Sequence, residues 1–563
     1  MSQVEVDKII PQSGTTLTIG DSGDTIAIAS GATLSGSLNA DNLDSGTVPS
    51  ARVSGAYTGI TQTGTLSSLT VNGNVSIDGG TIKLDGNLDA SNNSALGNTA
   101  VDAITTGVRN TGIGGNALSD NTTGNYNTSI GYASLANNVD GGSNTGLGDL
   151  ALNQNISGDY NTAVGREALE VNTASNNTAV GFQALEDNTT GTSNTAVGFN
   201  ALTSNTTASN NTAVGFCSLS VNTTGTNNTA VGYAALCANT TANDNVAVGR
   251  CSLKTNTTGA SNTAVGQNSL FNNSTANDNT AVGHQALFTN STGANNTSVG
   301  KNALYYNTVS NNTAVGNLAM TNNSTGNDNT AVGQNSLTAN TTGCWNTAIG
   351  RNSLSSNTTA LGNTAVGHNS SYAITTGAAN VSVGRCSLCA NTTGASNTAI
   401  GAQAGCQVTS GGNNTMIGSD AGTSTSPFTI TDGTTNHRVV IGNNDVSNAY
   451  IRVSWTVTSD ARDKTNFGTV PHGLDFVNKL EPISFQFKTS REDDTPHGPM
   501  HYGFKAQDIL ALEGSDNVII DDEQPEHLKY KGEHLVPVLV NAIKELKAQN
   551  EDLKSRIEAL ENS

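Results

Sequence analysis

The most regular feature of the chain is a short apolar beat, Thr-Ala-Val, followed by a glycine and, four residues after that glycine, by a leucine. The glycines at 114, 131, 148, 165, 181, 198, 215, 232 and 249 follow one another at 17 residues with one step of 16, and the ladder continues through Gly266, Gly300, Gly333, Gly367 and Gly401 to Gly418. The unit reads N-T-A-V-G-x-x-A-L-x-x-N-T-T-[GA]-x-x. A fixed period of this kind predicts a solenoid, in which each unit stacks on the last and none is stable alone. Seventeen residues are too few for the helix pairs of most helical repeats, and Asn, Thr and Gly at this density form helices poorly. The pattern predicts two short strands per turn, Thr-Ala-Val-Gly and Ala-Leu, with Asn-Thr-Thr-Gly as a turn in which Asn or Gly takes positive φ.

Each turn then carries one large aliphatic per strand, as in Val164 with Leu169 or Val197 with Leu202, and only 4% of the chain is aromatic. A single coil has a thin core. Stacking about nineteen coils, with three copies side by side, adds small cores into a column, and Asn and Thr ladders satisfy one another between rungs. At ~4.8 Å per rung the column is about 90 Å long.

The pattern changes at both ends. Residues 1–95 hold strand-like runs without a fixed period, such as those at 15–20, 25–29 and 67–77, separated by Gly, Asp and Ser turns. Residues 428–458 hold His437, Tyr450, Trp455 and a Val439-Val-Ile441 run, which predict a small β-cap or tip. At the C-terminus Val536, Ile543, Asn550 and Ile557 recur every seven residues, as do Leu539, Leu546, Leu553 and Leu560. These are the a and d seams of a parallel coiled coil, and a polar Asn550 at one a position fixes register and strand number at a cost in stability. Lys544, Lys547, Glu551, Lys554 and Glu558 make the remaining faces polar. Pro537 fits the first turn, where its missing N–H costs nothing. The alternative is a lone amphipathic helix packed on its own domain.

Where the repeats give way to this region stands Ser459-Asp460-Ala461-Arg462-Asp463-Lys464. A hydroxyl and an amine five positions apart read either as a solvated turn opening a new domain or as a Ser/Lys dyad, in which a desolvated lysine supplies the base that a serine nucleophile needs. The stretch resembles the opening of the endosialidase-type intramolecular chaperone, a C-terminal domain of phage tailspikes, tail fibres and some membrane-tethered transcription factors. Leu480-Glu481-Pro482-Ile483-Ser484-Phe485 resembles that family's L-x-P-[VI]-x-[FY] strand. His501-Tyr502-Gly503-Phe504-Lys505-Ala506-Gln507-Asp508 resembles its H-x-G-F-x-A-Q-[DE] strand and turn, and Tyr530 with the helical run from His534 to Leu560 completes the order. The resemblance implies a trimer that templates the preceding segment and then cuts itself away at Thr458–Ser459, with Ser459 as nucleophile, Lys464 as general base, and an ester shift followed by hydrolysis as the route. Asp460 and Arg462 are read as ordering the turn.

The central repeats are similar to the β-roll in the heads of trimeric autotransporter adhesins, whose shorter repeat also centres on a [TS]-A-[VI]-G strand. Segments 8–20 and 43–52 resemble N-terminal parts of tail-fibre proteins of marine bacteriophages, which implies that this end attaches to the phage tail or baseplate. The expected architecture is mainly β: an elongated homotrimeric parallel β-solenoid or β-roll with a C-terminal α+β chaperone domain ending in a coiled-coil helix. Its expected parts are an N-terminal attachment region (1–97), the repeat roll (98–422), a distal tip (423–458) and a self-cleaving chaperone (459–563).

Net charge is −20 over 563 residues, which disfavours nucleic acid and anionic membranes as partners. Residues 1–30 lack a basic region followed by an apolar core, and no apolar run reaches membrane-spanning length, which separates the expected fibre from an exported adhesin. The Asn-x-Thr triplets fall where turns already demand those residues and are read as structural rather than as glycosylation sites. Cys386-Ser-Leu-Cys389 has redox-motif spacing but sits in the ordinary repeat frame, in the column of Cys217 and Cys251, and the seven cysteines read as thiols. His497 and His501 flank Gly498 and Pro499, which prevents a helical metal-binding face; no metal and no cofactor is called for. The expected function is host attachment in a virion assembled in the host cytoplasm, through a cell-surface glycan or protein receptor. Two rivals stand beside it: a glycan-degrading tailspike, for which Glu167, Glu170, Glu186 and Asp187 are the one acidic cluster in the roll, and a purely structural or ice-binding solenoid.

Overall fold

The computed structural model describes residues 92–426, 428, 433–446, 449–450, 452, 459–488, 493–514 and 517–563. The strand-like runs of the first 91 residues, Trp455 and Thr458 lie outside the described residues.

The repeats form a parallel β-solenoid. Twenty-one three-residue strands, β1 (Ser94–Leu96) to β21 (Val439–Ile441), pair in chain order, each in register with the next. In β7 (Thr195–Val197) and β8 (Thr212–Val214), Thr pairs with Thr, Ala with Ala and Val with Val. The Val439–Ile441 run, expected in a separate tip, is the last strand of the same sheet and pairs with β20 (Thr415–Ile417) across a longer connection.

There is one strand per coil, not two. The Ala-Leu segment is a chain of turns in which the leucine has positive φ, as at Leu202 (φ 53°) and Leu253 (φ 48°). The second residue after each corner glycine is also left-handed, as at Asn200 (φ 52°). This alternation turns successive peptide planes in opposite directions along the axis: Asn200 N donates to Phe182 O on the preceding coil (3.0 Å) and Leu202 N to Ser218 O on the following one (3.0 Å). The conformation is uncommon for leucine. Complete burial of the leucine, 0% exposed on coil after coil, offsets the strain. Positive φ also falls outside the Asn-Thr-Thr-Gly turn, on the residue two before each strand, as at Asn210 (φ 62°).

The core is Ala and Leu rather than Val and Leu. A strand of three alternating residues has one inward position, held by alanine on most coils and by Gly112, Ser129, Gly146, Ser298, Ser382 or Met416 on others; the flanking residues, mostly Thr and Val, face outward. Two asparagine ladders complete the interior. Asn211 N donates to Asn194 Oδ1 (3.0 Å) while its Nδ2 donates to Gly225 O (2.9 Å). Asn205 Nδ2 donates to Asn188 Oδ1 (2.7 Å) and Ala208 O (3.0 Å). The asparagines of the Asn-Thr-Thr triplets are therefore buried with their amides bonded, which gives them a structural role by a different route from turn geometry. Threonine hydroxyls add outer rungs, as from Thr189 Oγ1 to Thr206 O (2.9 Å).

Beyond the last coil, a 3-10 turn at Ala461–Asp463 precedes α1 (Leu474–Val477), an antiparallel pair β22 (Ile483–Lys488) and β23 (Pro496–Gly503), and α2 (Ala506–Glu513). The short pair β24 (Ile520–Asp521) and β25 (Lys529–Tyr530) leads into α3 (Leu535–Glu561). Phe476, Ile509, Ile519, Ile520, Leu535 and Val538 form its core. The solenoid meets this domain at its open end: Arg438 forms an ion pair with Glu523, and the Lys529 ammonium lies 3.9 Å from the centre of the Phe428 ring.

Candidate functional site

Ser459 and Lys464 are brought together at the head of the C-terminal domain. Asp460 caps the intervening 3-10 turn, accepting from Arg462 N (2.8 Å), and its carboxylate also takes Arg462 Nε and a guanidinium amine (2.6 Å). That clamp holds Asp460 below the usual carboxylate range, first through the Arg462 side chain and then through its backbone N–H. The turn folds the chain back so that Lys464 Nζ donates to Ser459 Oγ at 2.6 Å. Asp460 and Arg462 thus order the turn, as the sequence suggests. Both Ser459 and Lys464 are exposed. To act as a general base a lysine side chain must be the neutral amine, a state that burial promotes.

Sequence reasoning missed Glu513 at the end of α2. It is buried, and its carboxylate accepts from the N–H groups of Val518 (2.8 Å), Ile519 (2.6 Å) and Ile520 (3.0 Å). A charged residue between apolar ones at a helix end gives no sign in sequence that it will cap a loop further on. Glu513→Ala is expected to lower the stability of this domain by about 3 kcal/mol, because the buried N–H groups of Ile519 and Ile520 and the part-buried one of Val518 lose one charged acceptor. Hydrogen exchange at 518–520 checks it: exchange unchanged from wild type would refute the assignment. Glu545 plays a related part on α3, accepting from Leu474 N (2.7 Å) while Asn541 Nδ2 donates to His472 O (2.9 Å), so that α3 is fastened to α1.

On α3, Leu535, Val538 and Ala542 pack inward, whereas the predicted seam does not. Val536 (57%), Ile543 (65%) and Leu560 (75%) are exposed, as are Leu539, Leu546, Asn550, Leu553 and Ile557. The helix therefore carries two apolar faces, one spent within the chain and one unpartnered in it.

The acidic residues of the roll do converge. Gln183 Nε2 donates to Glu167 Oε2 (2.9 Å) and Glu186 Oε1 (3.2 Å), and Arg166 pairs with Glu167 (2.5 Å). Burial and neighbouring carboxylates raise the pKa values of Glu170 and Glu186. The cysteines are free thiols; Cys389 and Cys406 hydrogen-bond to one another on successive coils, which lowers Cys406 to about 7. His501 packs between Phe485 and Phe487 on the β22–β23 pair, and no cluster able to hold a metal occurs among the described residues. No helix among the described residues is long and apolar enough to cross a membrane.

Residues 459–518 match the family model of the chaperone of endosialidase, a peptidase family, with Ser459 as the first matched residue. No curated protein matches the chain. No solved structure matches it either. A segment that matches this family model, following a long parallel solenoid, fits a protein of the tail-fibre or tailspike type.

Proposed function

We propose that the chain is a homotrimeric phage tail fibre or adhesin whose C-terminal domain aligns three chains, templates the solenoid and then releases itself by cutting Thr458–Ser459. The observation that carries this reading is the join: a solenoid that runs, through its last rung, into a matched chaperone segment with a lysine seated on its first serine. Ser459 Oγ attacks the Thr458 carbonyl while Lys464 takes the hydroxyl proton. The Thr458–Ser459 C–N bond breaks as that proton passes to the leaving Ser459 amine, and water then hydrolyses the ester to a Thr458 carboxylate and the free Ser459 hydroxyl. Because both side chains are exposed in one chain, the dry surroundings that a lysine base needs come from neighbouring copies.

Two unpartnered apolar surfaces support the trimer. One is the α3 seam, where Asn550 sets register among hydrophobic positions. The other is the outward aliphatic of every strand, including Ile113 (38%), Leu147 (43%), Ile349 (40%) and Ile417 (40%), an unbroken line at rung spacing along the roll. Only an object with the same spacing covers such a line evenly, and another copy of this solenoid has it. The N-terminal region attaches to tail or baseplate proteins, and the roll presents the receptor-binding surface. Native mass measurement is expected to give three solenoids per particle; a monomer at micromolar concentration would refute the proposal.

A further inference from the structure

Most columns of the solenoid are committed to the scaffold: glycine at the corner, alanine and leucine inside, asparagine in the two ladders. The residue after the corner glycine is not. Side chains as unlike as Asp149, Phe199, Gln267 and Arg385 occupy it, so the fold sets no requirement there. Yet its contents are far from random. Seven lysines and arginines lie between residues 98 and 422, and five of them, Arg166, Arg250, Lys301, Arg351 and Arg385, fall in this column, with both histidines of the stretch, His284 and His368.

The column has two parts. Phe182, Phe199, Phe216 and Tyr233 stack with ring centres 5.2 to 5.3 Å apart, with Arg166 against the first ring and Arg250 against the last. Rings stacked in this way offer their edges, not their faces, to a ligand. From Arg250 to Arg385 the column holds four cations, Arg250, Lys301, Arg351 and Arg385, all exposed. No ion pair among the described residues uses Arg250, Lys301, Arg351 or Arg385, whereas Arg166 is already paired with Glu167. The local charge balance supports the same division. Residues 188–419 contain three acidic residues, Asp244, Asp278 and Asp328, against five basic ones, although the whole chain carries −20.

We infer that the line from Arg250 to Arg385 binds an extended polysaccharide bearing a carboxylate on every second or third sugar. The inference rests on the fibre reading and names the chemistry of its receptor. Arg250, Lys301, Arg351 and Arg385 are separated by three, three and two rungs, so the cations stand about 10 to 15 Å apart. A nucleic acid strand carries a phosphate every ~3.4 Å and would leave most of its charge unmatched. A hexopyranose in an extended chain is about as long as one rung of ~4.8 Å, so a carboxylate on every third sugar meets Arg250, Lys301 and Arg351 in turn, and one on every second sugar meets Arg250, Arg351 and Arg385. The guanidinium fork suits carboxylate, and amide and imidazole groups such as Gln267, His284 and His368 stand between the cations to meet sugar hydroxyls.

The test uses full-length protein whose cleavage and trimer state have been established by mass. Immobilised hyaluronate, heparosan and unsulfated chondroitin, each with a carboxylate on every second sugar, are the probes, with carboxyl-reduced hyaluronate and oligo-dT as comparisons. Binding to at least one carboxylated polymer is expected, weakening as salt rises. The fourfold variant R250Q/K301Q/R351Q/R385Q, checked for unchanged trimer mass, is expected to lose roughly ten-fold or more in affinity, while R109Q/K254Q, which removes the two basic residues outside the column, is not. Failure to bind all three polymers, binding unchanged in the fourfold variant, or tighter binding to oligo-dT would each overturn the inference. A cut, trimeric protein that binds none of them leaves the fibre reading intact; an uncut monomer removes that reading separately.

Discussion

Ser459→Ala is expected to leave the purified chain at full length, and the wild type is expected to separate under denaturing conditions into a fragment ending at Thr458 and one beginning at Ser459. The two substitutions that test the dyad differ in kind. Ser459→Ala removes the atom that forms the new bond, so no cleaved product accumulates on any timescale of assembly. Lys464→Ala keeps the nucleophile but removes the group 2.6 Å from it, and the rate is expected to fall by roughly 10² to 10⁴, the usual worth of a positioned general base. Lys464→Arg keeps the positive charge and the reach, yet a guanidinium stays protonated, so it should fail as alanine does; cleavage by Lys464→Arg at the wild-type rate would rule out a base role. Asp460→Ala provides an internal comparison. It frees Arg462 and loosens the turn without touching the reacting atoms, and so slows cutting less than Lys464→Ala. Intact mass on all four variants, taken from the same native trimer peak, separates a chemical defect from a failure to assemble.

Where the molecule was legible, one residue type dominated a column and the reason was local. The strands of the C-terminal domain were legible through motif resemblance, whereas the 17-residue period, the inward leucine and the exposed apolar stripe of the long helix α3 all follow from side-chain pattern. The second strand did not, because propensity carries no signal for a leucine held at φ near 50° by neighbours on adjacent coils. The same lack of context put valine in the core: with a three-residue strand, one step of phase decides whether Ala163 or Val164 points inward, and the sequence offers a small residue beside a large aliphatic at most turns. Glu513 was invisible because its partners, the N–H groups of 518–520, are backbone atoms. The basic column was concealed by arithmetic. Summed over the chain the charge is −20, and the sum hides that residues 188–419 hold five basic residues against three acidic ones, four of the five in one line.

Gly266→Ala tests whether the ladder is as tightly determined as the hydrogen bonds imply. Gly266 has φ +129°, a conformation that residues with a side chain rarely adopt, and a Cβ built there would lie 2.6 Å from the carbonyl oxygen of Gly283 and 2.8 Å from its carbonyl carbon. Both atoms belong to the next rung's backbone and cannot swing aside. Backbone strain of this kind costs of order 1 to 3 kcal/mol per residue, and forcing two rungs apart adds the hydrogen bonds on either side, such as Gly266 N to Val248 O at 2.8 Å. In a solenoid each coil touches only its neighbours, so a break in the middle uncouples the two halves rather than lowering stability evenly. The expected result is a second unfolding transition in denaturant and a new protease-sensitive site within a coil of residue 266. Gln267→Ala, one residue along in the exposed column, is the comparison and should unfold as the wild type does. If the two substitutions have the same midpoint and the same digestion pattern, rung-to-rung contact at the corner glycine does not hold the roll together, and the alanine, leucine and asparagine interior carries its cooperativity alone.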